Sequence, residues 1–442
     1  MIQLSDHFDC KRLRRFTLPS IVMLVFTSIY GVVDGFFVSN FAGKTPFAAV
    51  NFIFPVLMIL GCAGFMFGTG GSALIAKTLG EGNRAQANGI FSLLVYAAAG
   101  SGVVLAAAGL LFMPALARAL GAQGQLLEDS VTYGRIIALA LPFFILQSEF
   151  QCLFVTAEKP KLGLAVTVAA GTANMALDAL FVGAFRWGLE GAAAATAISQ
   201  LVGGVIPLAY FGRRNASLLR LGRCRFDGRT LLRACANGAS ELMSNISASV
   251  VAMLYNAQLM AKAGEDGVAA YGVLMYVSLV FQAIFIGYAV GAAPVVGYHH
   301  GAGDREELKG LLRRSGMLIA AFSVAMCLAG EGLGRPLAVL FVGYDRALLD
   351  LTAQAFSIFS ISFLFSGLAI FGSSFFTALN DGLTSALISF LRTLVFQCAA
   401  VVLFSALWGL DGIWWSIVAA EMMAVAVTLA FLAAKRKKYG YL

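Results

Sequence analysis

Gly80-Glu81-Gly82-Asn83-Arg84 returns 221 positions later as Gly301-Ala302-Gly303-Asp304-Arg305, in a chain of 442 residues. The same offset carries Gly188-Leu189-Glu190-Gly191 onto Gly409-Leu410-Asp411-Gly412, and Phe154-Val155-Thr156-Ala157 onto Phe375-Phe376-Thr377-Ala378. It also carries Ala42-Gly43 with Ala48-Ala49 onto Ala263-Gly264 with Ala269-Ala270. Separated matches with no gap between them mean that a half-chain was duplicated. Two like halves in a membrane chain usually bracket a substrate path.

The repeated unit is apolar. The chain is 60% hydrophobic and 12% charged, against about 25% charged in soluble domains. Crossing the hydrocarbon core takes about 20 apolar residues. Twelve stretches qualify, near 15–40, 47–76, 88–112, 129–157, 161–185, 188–212, 236–261, 268–298, 311–333, 347–378, 383–407 and 410–434. Six fall in each half. The expected fold is an all-α polytopic membrane protein, with twelve transmembrane helices in two pseudo-symmetric six-helix bundles. The expected lobes are 1–212 and 236–442, joined by a basic linker at 213–235. An even number of spans per half gives both halves the same orientation, about an axis along the membrane normal.

Basic residues orient the bundle. One side receives 23 of the 31 Lys and Arg residues, among them Lys11 to Arg15, seven arginines from Arg213 to Arg233, and Lys435 to Lys438. The other side holds seven, and Arg392 lies inside a span. This asymmetry predicts both termini in the cytoplasm. The net charge of +8 therefore reads as topology and attraction to anionic lipid, with no nucleic-acid partner. The first apolar run is too long for a signal peptide, carries Asp34 and lacks a small-residue cleavage site. Seven scattered cysteines without a CxxC pair predict neither a disulfide framework nor a metal site. His7, His299 and His300 have no ligand-spaced partners and no nucleophile elbow is present, so neither an enzyme nor a cofactor is expected.

Ionisable groups inside spans cost upward of about 2.5 kcal/mol each and call for an explanation. They are Asp34, Glu149, Asp178, Glu241, Arg392 and Glu421. At about 1.5 Å per residue, Asp178 and Thr196 both lie roughly 12 Å from the outer face and Asp34 roughly 9–15 Å from it. Asn174 shares the helix face of Asp178 four residues on. Two carboxylates, an amide and a hydroxyl thus meet at one depth. Adding 221 to Asp34, Asn174 and Asp178 lands on Tyr255, Val395 and Ala399, so the acids belong to one half only. Oxygen ligands suit a hard cation or a proton, and buried structural hydrogen bonding is the competing explanation. Glu241 reads equally as an ion or substrate contact and as a buried acid. Arg392, Glu421 and Glu149 read as internal ion pairs or carbonyl caps. Pro19 gives the first span a place to bend.

These residues resemble those of the multidrug and toxic compound extrusion (MATE) family over nearly the whole chain. The matching pieces are Pro19 with Val33-Asp34 and Phe37-Val38, Gly80-Glu81-Gly82-Asn83, Asn174-x-x-x-Asp178, and Gly188-x-x-Gly191-Ala192-Ala193-x-Ala195-Thr196. The resemblance implies a V-shaped exporter alternating between inward- and outward-open states and driven by H⁺ or Na⁺. It implies a cation site at Asp34, Asn174, Asp178 and Thr196, which would hold Na⁺ in a sodium-coupled member. It also places Tyr30 near the substrate, with Asp34 and Glu241 as further contacts. Members of the NorM type carry second-lobe acids in the seventh and tenth spans. Here Glu241 matches the first, but 347–378 has only Asp350, at its outer end, which favours coupling through the first lobe. The expected activity is cation-coupled antiport exporting organic, cationic amphipathic drugs from a bacterial inner membrane, by a monomer in contact with membrane lipid. A lipid-linked saccharide flippase of the same wider superfamily is the alternative, with Arg392 as its only cavity cation. A major-facilitator transporter would carry a Gly-x-x-x-Asp-Arg/Lys-x-Gly-Arg-Arg loop after the second span, which Lys77 to Asn88 does not match.

Overall fold

A computed structural model describes residues 2–343 and 345–441. The first lobe begins with α1 (Cys10–Phe37), whose last turns widen into π-helix at Val38–Ala42. It continues with α2 (Lys44–Gly80), α3 (Arg84–Ala119) and α4 (Gly124–Thr156). It ends with α5 (Pro160–Asp178), extended by π-helix at Ala179–Ala184, and α6 (Gly188–Gly212). After a coil comes the short α7 (Gly228–Asn237), then α8 (Ala239–Ala302) and α9 (Arg305–Val342). The second lobe closes with α10 (Arg346–Ile361), α11 (Phe363–Ala378), α12 (Gly382–Phe390) and α13 (Phe396–Tyr439), α12 and α13 being joined by π-helix at Leu391–Val395.

Among the described residues nine helices are long and apolar enough to cross a membrane, or ten when α10 and α11, bent by 47°, count as one broken span. Two of these are double. Helix α8 turns at Gly264 and α13 at Gly409, where φ is +61° and +62°. Splitting them gives twelve passes, six per half. This is the twelve-helix architecture expected from the repeat.

The repeat matches fall on the turns. Gly43 and Gly264, Gly82 and Gly303, and Gly188 and Gly409 are related by the 221-residue offset, and all have positive φ. A side chain would strain the backbone there, which is why glycine stands at each. Asn83 and Asp304, another related pair, cap α3 and α9 by accepting from the N–H of Gln86 and Glu307 at 3.0 Å.

Three apolar cores show how the lobes sit. One is shared, running through Phe8, Phe16, Leu79, Phe91, Phe150, Tyr288, Val295, Phe375 and Tyr441. The other two each belong to one lobe: Val38, Ile53, Met113 and Val182 in the first, Val251, Leu274, Phe356 and Ile417 in the second. Both termini and the coil after α6 lie at the shared end. Leu4 N–H donates to Glu158 (2.6 Å), Gly440 lies against Arg305, and Arg84 donates to the carbonyls of Ser217 and Leu218 (3.3 Å each). The lobes therefore share a core at the termini face and keep separate cores toward the opposite face.

Glycines make the joint. A Cβ on Gly80 would strike the Tyr298 carbonyl, and one on Gly301 the Lys77 carbonyl. Each contact is the repeat image of the other, so the pseudo-two-fold axis passes between them. Gly287 lets the Ile21 backbone approach, with 2.6 Å from a Cβ there to its Cα, and Gly70 packs on Gly238. Such close approach is how helices associate where no hydrophobic drive separates them from lipid. The linker departs from a freely solvated segment. Arg220 N–H donates to Asn88 (2.7 Å) and Gly222 N–H to Ser92 (3.0 Å), pinning its backbone along α3 while its arginines stay exposed.

Candidate functional site

Asp34 and Tyr30 sit one helical turn apart on α1, and Asn174 and Asp178 one turn apart on α5, so each pair shares a face. Gly171 on α5 brings the helices together. A Cβ there would lie 2.6 Å from the Phe26 ring and 2.7 Å from the Tyr30 ring. Both helices lose regular α-geometry just past their acid, at Val38 on α1 and at Ala179 on α5. Such π-helical turns are frequent at functional sites, because they redirect the backbone groups around them.

The two carboxylates meet. Asp34 and Asp178 lie within hydrogen-bonding reach of each other, and the Thr196 hydroxyl on α6 is within reach of Asp34. Asn174 Nδ2 donates to Thr196 Oγ1 at 3.5 Å. Asp178 is fully buried and Asn174 is 2% exposed. Four acceptor oxygens here are buried with no donor: Asp34 Oδ1, both carboxylate oxygens of Asp178, and Asn174 Oδ1. Each unanswered buried acceptor costs about 1–3 kcal/mol, more when charged. A knot of acceptors without donors is shaped for a proton or a metal cation.

Sequence reasoning missed Tyr133. This phenol on α4, 4% exposed, lies near Thr196 and both aspartates. Helix α4 starts at Gly124 on the face opposite the termini, so Tyr133 sits roughly 14 Å deep, level with the acids. The depth rule that put Thr196 level with the acids reaches Tyr133 as well. Tyr30 is half-buried beside Asp34 and within reach of the Gln147 side chain.

Glu241 stands apart. It occupies the first turn of α8 at the lobe joint, near Cys62 of α2 and Cys152 of α4. Glu149 departs from the expected ion pair or carbonyl cap: it is fully buried with neither carboxylate oxygen bonded. Its backbone is held against Gly68, 3.1 Å from a Cβ there to its Cα, which keeps the side chain inside the bundle. Arg392 and Glu421 do pair, Arg392 Nε donating to the two carboxylate oxygens at 2.9 and 3.2 Å. Helix α1 runs unbroken through the buried Pro19.

At the position related to Asp34 the second lobe is satisfied. Tyr255, at the place related to Asp34, donates to Gln397 Oε1 (2.8 Å), pairs with Ser416 Oγ (2.8 Å) and stacks on Tyr271 with ring centroids 5.3 Å apart.

The MatE family model matches twice, over residues 19–180 and 241–402. The chain belongs to the MatE family. The double match mirrors the duplication, one copy per lobe. MatE proteins are transporters, so this multi-pass chain is a membrane transporter and not an enzyme. It is 22% identical over 420 residues to the multidrug export protein MepA of Staphylococcus aureus strain MRSA252, covering 95% of this chain and 92% of the relative. It is 23% identical over 421 residues to MepA of Staphylococcus saprophyticus, with the same coverage. Among solved structures it resembles a multidrug resistance MATE transporter of the MOP superfamily in an outward-facing conformation. That match has a TM-score of 0.93 at 21% identity, over 99% of this chain and 98% of the other. At that identity the likeness speaks for the fold.

Proposed function

We propose that this MatE protein exports organic, cationic amphipathic compounds in exchange for inward H⁺ or Na⁺, by alternating access, with coupling at the Asp34–Asp178 site. One observation carries the reading: four buried acceptor oxygens from two acids and an amide converge without a donor. Two close carboxylates cannot both stay ionised cheaply unless a cation joins them. Oxygen donors alone suit Na⁺ or a proton and disfavour softer metals. Asp34, Asn174, Asp178 and Thr196 would hold the ion, with Tyr133 orienting Thr196.

The exchange follows from charge. An ion entering from the face opposite the termini neutralises the pair. A cationic substrate held by Asp34 beside Tyr30 then loses its electrostatic partner and leaves on the same side. Glu241, at the closed joint, would meet substrate when the lobes part there. Turnover requires that ion and substrate favour different states of the bundle. The bias of basic residues makes the termini face cytoplasmic, so the opposite face, where the lobes keep separate cores, is the outer one in a bacterial inner membrane, with one chain as the working unit. The names of the MepA relatives support small-molecule export. The flippase alternative loses weight because Arg392, its one cation, is already neutralised by Glu421.

Efflux of a cationic dye from proteoliposomes, under Na⁺ and pH gradients imposed separately, tests this. Transport should follow one gradient. Asp34→Asn and Asp178→Asn should each cut the gradient-driven part by about a hundredfold, within the range of linked sites, with elution on size exclusion unchanged. Gradient-driven efflux kept by both variants would remove the site, and no transport under either gradient would remove antiport.

A further inference from the structure

A cavity of about 890 Å³ opens at the termini face between the first turns of α1 and α5. Its depth is apolar, formed by the buried Phe16 and Pro19 and by Leu162. Its rim is basic, with Lys11, Arg12, Arg15 and Lys161 all exposed. Arg12 donates to the His7 carbonyl at 3.2 Å, whereas Lys11, Arg15 and Lys161 have no hydrogen-bond or ion-pair partner among the described residues.

Three carboxylates share the lining, and each is engaged by a backbone N–H. Asp6 accepts from Gln3 N–H (3.1 Å), Asp9 caps α1 by accepting from Arg12 N–H (2.6 Å), and Glu158 accepts from Leu4 N–H (2.6 Å). These bonds fold residues 2–9 into a third wall. Five cations, Lys11, Arg12, Arg15, Lys159 and Lys161, thus outnumber the three carboxylates in the lining, and Lys11, Arg15 and Lys161 stand without a partner among the described residues over an apolar floor, at the level where a membrane surface would lie.

The repeat shows that this opening is not required by the scaffold. Phe16 and Lys161 flank it, and the related residues in the second lobe are Asn237 and Gly382. There the backbones touch, a Cβ on Gly382 falling 2.5 Å from Asn237 Cα. Asn237 Nδ2 also donates to the Thr377 carbonyl at 2.9 Å, and Lys435 ties down Asp381 at 2.7 Å. One lobe closes this junction with protein. The other leaves it open, greasy inside and positive outside.

We propose that this crevice binds an anionic phospholipid of the inner leaflet. Its phosphate would sit among Lys11, Arg15 and Lys161, and the first part of an acyl chain would lie on Phe16, Pro19 and Leu162. Basic pockets between spans on the cytoplasmic side recognise anionic headgroups in this way, and the volume falls in the range of about 300–1,000 Å³ usual for small-molecule sites. A hydrocarbon chain distinguishes this ligand from free phosphate, which has nothing to place on the apolar floor. The occupant would brace the roots of the two helices that carry Asp34 and Asp178.

Native mass spectrometry of the full chain, released from mixed phosphatidylglycerol and phosphatidylcholine bilayers, reads the site directly and is independent of transport. The wild-type chain should retain one phosphatidylglycerol in preference to phosphatidylcholine. Arg15→Gln with Lys161→Gln should weaken that preference about thirtyfold, from about 1 kcal/mol per basic contact. Lys437→Gln with Lys438→Gln, an equal loss of charge on the tail, should leave it unchanged. Equal loss in both double variants would reduce the effect to net charge, and retention by the crevice variant would overturn the site. Should the crevice variant fold poorly, competition on the wild-type chain decides: inorganic phosphate displacing the lipid would show that the apolar floor contributes nothing.

Discussion

At position 34 the first lobe has an aspartate, and at the related position 255 the second has a tyrosine. Around Tyr255 the hydroxyl is answered by Gln397 and Ser416 and the ring lies on Tyr271. Around Asp34 the acids, an amide and two hydroxyls gather, yet four acceptor oxygens go unanswered. The scaffold is the same, down to turn glycines and helix caps. A buried polar group left unsatisfied is selected against unless something repays it. On the function proposed above, the difference separates two uses of polarity: around Tyr255 it is packing, and around Asp34 it is a place for a ligand.

Breaking a satisfied pair should do the most damage to the fold and the least to coupling. Arg392→Met leaves Glu421, 8% exposed at its side chain, as an unpaired acid inside the second lobe. Stability should fall by about 3–5 kcal/mol, read from thermal unfolding in detergent. Arg392→Met with Glu421→Leu should restore most of it, since an apolar pair of similar volume often replaces a buried ion pair without loss. The ion dependence of efflux should be the same in the double variant as in the wild type. A double variant that is stable but no longer transports would make Arg392 a substrate cation and revive the flippase alternative.

The two phenols sharpen the contrast at a smaller scale. Tyr255→Phe removes a hydroxyl between two neutral partners and should cost about 1 kcal/mol of stability, leaving the concentration of ion for half-maximal efflux in place. Tyr133→Phe removes the hydroxyl proposed to orient Thr196 beside Asp34. It should raise that concentration about tenfold, the equivalent of one lost hydrogen bond near a charged site, with little change in melting temperature. The reverse pattern would mean that the first-lobe cluster is packing as well.

Much of this was legible from residue order. Hydropathy and the 221-residue offset gave twelve passes, because lipid imposes a length on every span. The repeated glycines fell on positive-φ turns, where no other residue is comfortable. Depth along each helix put Asp34, Asn174, Asp178 and Thr196 at one level, which a rise of about 1.5 Å per residue makes a one-dimensional problem. Lateral facts were hidden. The break at Ser362 lies in an uncharged run of Phe, Ile, Leu and scattered Ser without proline, so composition does not register it. Glu149 looked like half of an ion pair, since sequence supplies no distance to a counter-ion. Tyr133 stays hidden because sequence does not say which face of α4 turns toward α5 and α6. The parting of the lobes into separate cores depends on which faces meet, and a hydrophobic face toward lipid reads the same as one toward helix.

The smallest effect belongs to the junction that the second lobe closes. Burial pushes the Asp381 carboxyl up, but hydrogen bonds from Lys435, Tyr439 and Thr384 and the Lys435 charge outweigh it and hold it below the usual carboxylate range. A depressed folded-state value stabilises the protein above the carboxyl's unfolded range and stops doing so as pH falls through the folded one. Lys435→Met should therefore lower stability by about 1 kcal/mol at neutral pH, the scale for a partly exposed pair. The gap to wild type should narrow as pH falls from about 4 through the lower folded-state value, until Asp381 is protonated in both chains. Thermal unfolding at pH 7 and at successive steps below about pH 4 would show it. A gap that stays constant with pH would mean that Lys435 holds the junction through its Thr384 contact and its aliphatic stem, and that the closed junction, unlike the open one of the first lobe, owes nothing to charge.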